Sequence, residues 1–120
     1  MSAEEVLATA MKADADLTAK VKSNLYPDFV RQGKLMPSIA YERQGTEFLN
    51  TIHGPRRESI ATFEVVVMAS TRTESIQVGA LFEQAMVRAK LYVTGLGSGF
   101  DGEKEIYYRA YTVTVPMLDQ

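Results

Sequence analysis

One stretch, residues 58–70, leaves this chain little choice of fold. Ala61, Phe63, Val65, Val67 and Ala69 fall on one side of a period-two pattern, and Ile60, Thr62, Glu64, Val66 and Met68 on the other. Such a β-branched run predicts a central strand from about Glu58 to Ser70, fully covered on its first face and partly on its second. Behind it, Thr71 and Glu74 stand at capping-box spacing, where a hydroxyl and a carboxylate satisfy free N–H groups at a helix start. A long helix then fits Thr73 to about Tyr92, with Val78, Leu81, Phe82, Ala85, Ala89 and Tyr92 on one stripe. A last strand is expected from about Lys104 to Val115, closed by Pro116. It carries Tyr107, Arg109, Tyr111, Val113 and Val115 on one face.

The rest of the chain supplies smaller pieces. Ser2 with Glu5 repeats the capping-box spacing, and Val6, Leu7, Ala10 and Met11 make a modest helical stripe. Asp14 or Asp16 suits the cap of a single helical turn carrying Leu17 and Val21. Leu25-Tyr26-Pro27 reads as a brief extended piece before a polar stretch from Asp28 to Lys34. Ile39 and Tyr41 alternate on a strand from Ser38 to Arg43, which Gly45 is expected to end. Phe48, Leu49 and Ile52 form a weaker apolar patch before the breaker His53-Gly54-Pro55. Gly95-Leu96-Gly97-Ser98-Gly99 reads as a flexible loop. The order predicts a single α+β domain over residues 1–120. Its core is a mostly antiparallel sheet of about four strands, with one long helix packed on a face and a short N-terminal helix. Helices this few cover part of such a sheet, and the remaining face is free for another subunit.

Composition narrows the function. There is no cysteine, which removes disulfides, thiolate metal sites and cysteine nucleophiles, and one histidine, which removes any site needing two. Thirteen basic against fifteen acidic side chains give a net charge of −2, opposed to nucleic-acid binding driven by overall basic charge. No apolar run reaches the ~20 residues of a membrane span, and the acidic start Met1-Ser2-Ala3-Glu4-Glu5 does not suggest an export signal.

Each group with chemical potential has a plainer reading beside it. The glycine run lacks the G-K-[ST] ending of a phosphate loop and lies after a helix rather than before one. His53 has no identifiable serine or carboxylate partner and reads as a surface or interface histidine rather than a general base. Glu58 and Glu64, six residues apart on one strand, fit solvated or cross-strand-paired carboxylates better than metal ligands. Arg56-Arg57 suits a solvated turn or a phosphate contact. Tyr107 and Tyr111, with Arg109 between them, resemble a stacking platform for single-stranded nucleic acid. The missing RNP-type motif and the acidic balance favour sheet packing or subunit contact. No catalytic residue, cofactor or metal is assigned.

Taken in order, these pieces resemble the tail-terminator, or tail-completion, family of long-tailed bacteriophages and related phage-like particles. The resemblance runs through Ala13-Asp14-Ala15-Asp16-Leu17-Thr18 and Asn24-Leu25-Tyr26-Pro27 to the proline-led Met36-Pro37-Ser38-Ile39-Ala40-Tyr41-Glu42-Arg43. It continues through Gly54-Pro55-Arg56-Arg57-Glu58, the β-rich run from Ala61 to Ala69, the long helix from Thr73 and the terminal strand. It covers nearly the whole chain and departs from the family in the glycine-rich run from Gly95 to Gly102 and in the few arginines before the central strand. The resemblance implies a structural virion protein and no enzyme. Its subunits would form a homo-oligomer, a six-membered ring on the head-proximal end of the tail tube. That ring would stop tube polymerisation and join the tail to a head connector or neck protein. Assembly would take place in the host cytoplasm, without a membrane, and DNA would pass through the lumen without specific binding. Subunit or tube contacts are expected at Phe48, Leu49, Ile52, Arg56, Arg57, Tyr107, Arg109 and Tyr111. Another neck protein, a head-completion or connector component, is the alternative of the same class, and a small nucleic-acid-binding module is one of a different class.

Overall fold

A computed structural model of the chain describes residues 2–22, 24–27, 37–51, 54–103 and 105–118. Eight elements follow in order: helices α1 (Ala3–Ala13) and α2 (Ala15–Val21), strands β1 (Leu25–Tyr26), β2 (Ser38–Thr51) and β3 (Gly54–Ala69), helix α3 (Arg72–Arg88), and strands β4 (Tyr92–Asp101) and β5 (Ile106–Leu118). The five strands make one sheet in the order β1-β2-β3-β5-β4, antiparallel throughout except where β1 runs parallel to β2. The α+β class and the mostly antiparallel sheet are as expected, with a fifth strand added and the expected helical turn at Leu17 and Val21 forming α2.

β3 is the middle of the sheet for the reason its sequence implies. Its inward residues Ala61, Phe63, Val65, Val67 and Ala69 are all at most 1% exposed. All but Ala69 meet Tyr111, Val113 and Val115 of β5 and Ile39 and Tyr41 of β2 in one cluster, over which the helices lie. Leu7, Met11, Leu17 and Val21 come from the N-terminal helices and Val78, Phe82, Ala85 and Met86 from α3. Phe82 packs on Tyr111 with ring centroids 5.1 Å apart, and Tyr41 meets Phe63 edge-on at 6.4 Å. Close packing of this kind makes the cluster intolerant of added volume or charge.

The helix ends follow their local chemistry. Ser2, Asp14 and Thr71 each accept from the backbone N–H three residues on, capping α1, α2 and α3. Asp14 also closes α1, its own N–H reaching the Met11 carbonyl. Its carboxylate, 3% exposed, then takes Arg88 Nη1 of α3 at 2.7 Å. One side chain thus ties the break between two helices to the end of a third.

Five segments depart from the sequence expectation, the first being the last strand, which runs through Pro116 to Leu118 instead of closing at the proline. The long helix ends at Arg88, not near Tyr92, and Tyr92 opens β4. Gly45 does not end β2; it pairs with Thr62 beyond a bulge at Gln44, and the strand runs on to Thr51. β3 begins at Gly54, so Pro55 lies within a strand instead of breaking one. The glycine-rich run expected as a flexible loop is part of edge strand β4, paired with β5 from Tyr92↔Thr114 to Asp101↔Ile106 around a bulge at Leu96. The polar stretch 28–34 and residues Ile52 and His53 lie outside the described residues.

β2 and β3 form a long hairpin. Sixteen extended residues at ~3.3 Å each span about 53 Å, and the longest dimension of the molecule is 52 Å. A single strand therefore sets the length of the subunit, and the far end of the hairpin is an arm.

Candidate interaction surfaces

The residues singled out from sequence separate into two regions. Phe48, Leu49, Arg56 and Arg57 all lie on the β2–β3 arm. Beyond the bulge at Gln44, pairing is regular as far as Phe48↔Ser59 and resumes at Asn50↔Pro55. Leu49 on β2 therefore stands opposite the longer stretch Arg56-Arg57-Glu58 on β3, an irregularity of the kind that re-aims side chains at the edges of sheets. The topology has joined two sequence patches that were read separately.

The second region is on β5. Tyr107, Arg109 and Tyr111 share the helix-covered face, as their alternation requires, but they meet different surroundings. Tyr111 is 2% exposed and its ring is part of the core. Arg109 Nε donates to the Tyr111 hydroxyl at 3.2 Å. Burial pushes the Tyr111 pKa up; the Arg109 hydrogen bond opposes this, and the nearby Glu83 carboxylate adds to it. Helix α3 comes so close here that a Cβ on Gly79 would stand 2.6 Å from the Tyr111 hydroxyl and 2.9 Å from Arg109 Cδ. Glycine is needed at 79 to admit this contact. Tyr111 is thus engaged inside the subunit, whereas Tyr107 and Arg109 reach the rim.

At that rim is a cleft of about 290 Å³ between the start of α3 and the β4–β5 turn. Arg72, Ser75 and Ile76 line one wall, and Ser98, Phe100, Tyr107, Tyr108 and Arg109 the other. Phe100 and Tyr107 pack together, centroids 4.6 Å apart, yet Phe100 stays 52% exposed and Ile76 47%. Among the described residues, the lining of the cleft has two guanidinium groups, exposed apolar side chains and no carboxylate. Arg72, Ile76 and Phe100 were not among the residues singled out from sequence. The signal was there in part: Arg72 follows the capping Thr71, and Phe100 ends the glycine run.

All three helices sit on one face of the sheet, and the other face is mixed. Ser38, Ala40 and Met68 at one end are buried, while further along Glu42 is exposed and Glu64 half-buried. These two carboxylates are direct cross-strand partners. Among the described residues no group of three or more His, Asp or Glu side chains is placed to hold a metal ion. No described helix is long and apolar enough to cross a membrane.

No protein-family model and no curated protein matches the chain. Among solved structures, it is similar to a chain from the virion of a native gene transfer agent (GTA) particle, with a TM-score of 0.69 at 17% sequence identity. The match covers 92% of this chain and 90% of that one. At so low an identity the likeness is one of fold, and it extends over essentially the whole of both chains.

Proposed function

We propose that this protein is a structural component of a phage-like particle, and within that class a tail terminator. The observation that carries the reading is the full-length likeness to a chain of a gene transfer agent virion. The tail-terminator reading within that class rests on the order of elements by which the sequence resembles that family. Such a subunit forms a ring that caps the head-proximal end of the tail tube and offers its other side to a head connector. The work it does is association, which suits a chain with a long hairpin arm and an apolar, arginine-bearing cleft. A ring requires head-to-tail interfaces that close by rotation, so each subunit must carry two different complementary patches. The arm around Leu49 and Arg56-Arg57 is one proposed contact, with a neighbouring subunit or with the tube.

The test combines solution mass over a concentration and magnesium series, negative-stain images of the same samples, and binding to purified tail tubes. Six-membered rings, or end-on capping of tubes, are expected. Binding to a head portal with no affinity for tubes would instead identify a head-completion or connector protein. Failure to bind either would overturn the virion reading.

A further inference from the structure

Among the described residues, two charged surfaces of this chain have little counter-charge, the Glu83 carboxylate near Arg109 apart, and they are complementary to each other. The first is the cleft at the start of α3, where Arg72 has no side-chain partner among the described residues. Arg109 there uses Nε on the Tyr111 hydroxyl and sits at the rim. The second is the pair Glu42 and Glu64 on the helix-free face of the sheet. Direct cross-strand partners hold their Cβ atoms roughly 5 Å apart, and like charges so placed repel. The chain does little to relieve this. Gln44 Nε2 reaches Glu64 at 3.5 Å, while Arg43, next to Glu42, turns to the other face to pair with Glu4 and lie over the Phe63 ring. No described ion pair reaches either carboxylate.

We propose that the occupant of the Arg72–Arg109 cleft is the Glu42–Glu64 face of a second copy of this chain. The two patches lie on opposite faces of one sheet. A copy docked through them therefore presents its own free cleft and free carboxylates outward, and association propagates head to tail. A two-fold dimer built on either patch would set arginine on arginine or glutamate on glutamate. This charge arrangement favours a ring or open array over a closed pair. Exposed Ile76 and Phe100 flank the arginines, and half-buried Thr62, Val66 and Thr112 flank the carboxylates, so the contact also removes apolar surface from water. The inference deepens the terminator reading and rests on self-association being part of it.

Sedimentation velocity on Arg72→Glu, Glu42→Arg and the chain carrying both tests it, with circular dichroism to confirm folding. Both positions are exposed, and Arg109 is left intact because it supports Tyr111. Each single reversal is expected to weaken self-association at least about tenfold, and the double reversal to restore it to within about threefold of the unmodified chain. Unchanged association in the single variants, or no recovery in the double, overturns the interface while leaving a ring built on other contacts. A two-fold dimer of the unmodified chain, or a monomer at every concentration, overturns it as well. Tube binding, measured separately, then decides the terminator reading. Loss of oligonucleotide binding at low salt in Arg72→Glu, with association unchanged, would assign the cleft to nucleic acid and overturn the proposal.

Discussion

Asp14 does at least three jobs with one carboxyl-bearing residue. It ends α1, starts α2 through the 3.0 Å bond from Leu17 N–H, and receives Arg88 from α3. Losing the cap costs about 1 kcal/mol, and the lost ion pair adds little because Arg88 is 62% exposed. Asp14→Ala is therefore expected to destabilise the chain by about 1–2 kcal/mol, and Asp14→Asn, which keeps the accepting oxygen, by less. Chemical denaturation of the two variants checks the order. Tyr41 and Tyr111 make a second residue-scale prediction. Burial raises both pKa values above the ordinary 10.0, with Glu4 adding to the shift for Tyr41. The unfolded chain releases these protons first. Their contribution to stability is thus complete below pH 10.0 and is lost as pH rises from there through the folded values. Tyr111→Phe should make the loss of stability between about pH 9 and about pH 11 less steep. It should also cost about 1 kcal/mol at neutral pH, from the hydrogen bond that Arg109 donates. Denaturant titrations across that range measure both effects.

At the scale of elements, the end of α3 shows why a sequence stripe can overrun. The helix closes with Lys90 N–H on the Val87 carbonyl and Leu91 N–H on the Met86 carbonyl, the paired bonds of a Schellman ending. Position 90 takes φ 61°, where glycine is usual and lysine is strained. With lysine there, no stop signal is visible, and the apolar spacing carries the reading on to Tyr92. Lys90→Gly is expected to stabilise the chain by about 0.5–1 kcal/mol, seen as a rise in the thermal midpoint of about 4 °C. β4 shows the opposite case, a strand with no strand-like sequence. Among its glycines, Gly99 is tied to a neighbour: a Cβ there would meet the Tyr108 hydroxyl at 2.5 Å, since that tyrosine lies across the edge strand. The free edge of β5 recruits the segment, and pairing outweighs its low intrinsic preference.

The whole molecule divides into a thick end, where three helices cover the sheet, and the β2–β3 arm. This division predicts opposite outcomes for two similar substitutions. Val65→Asp places an unpaired charge in a fully buried site and should abolish cooperative folding. Leu49→Asp, on the arm, should leave the fold intact and weaken ring formation or tube binding. Circular dichroism melts paired with solution mass separate the two. Unfolding of Leu49→Asp would mean that the arm belongs to the core, and a stable Val65→Asp would contradict the packing of β3.

The sequence by itself determined the class of the fold, the inward face of β3 from Ala61 to Ala69, the capped start of α3 and the alternation of β5. Each is a local periodicity or a contact within four residues, written directly in the order of side chains. The tertiary structure alone decided which of three aligned β5 residues is core and which is rim. Tyr111 lies under Gly79 where α3 crosses, whereas Tyr107 lies beyond the helix start. It also decided that the Gly95–Gly99 run is a strand, that position 49 lies opposite positions 56–58 in the register, and that Glu42 and Glu64 are opposed. These are pairings between segments distant along the chain. A strand's register and a helix's crossing point are set by its neighbours' shape and free hydrogen-bonding groups, which no single stretch of sequence contains.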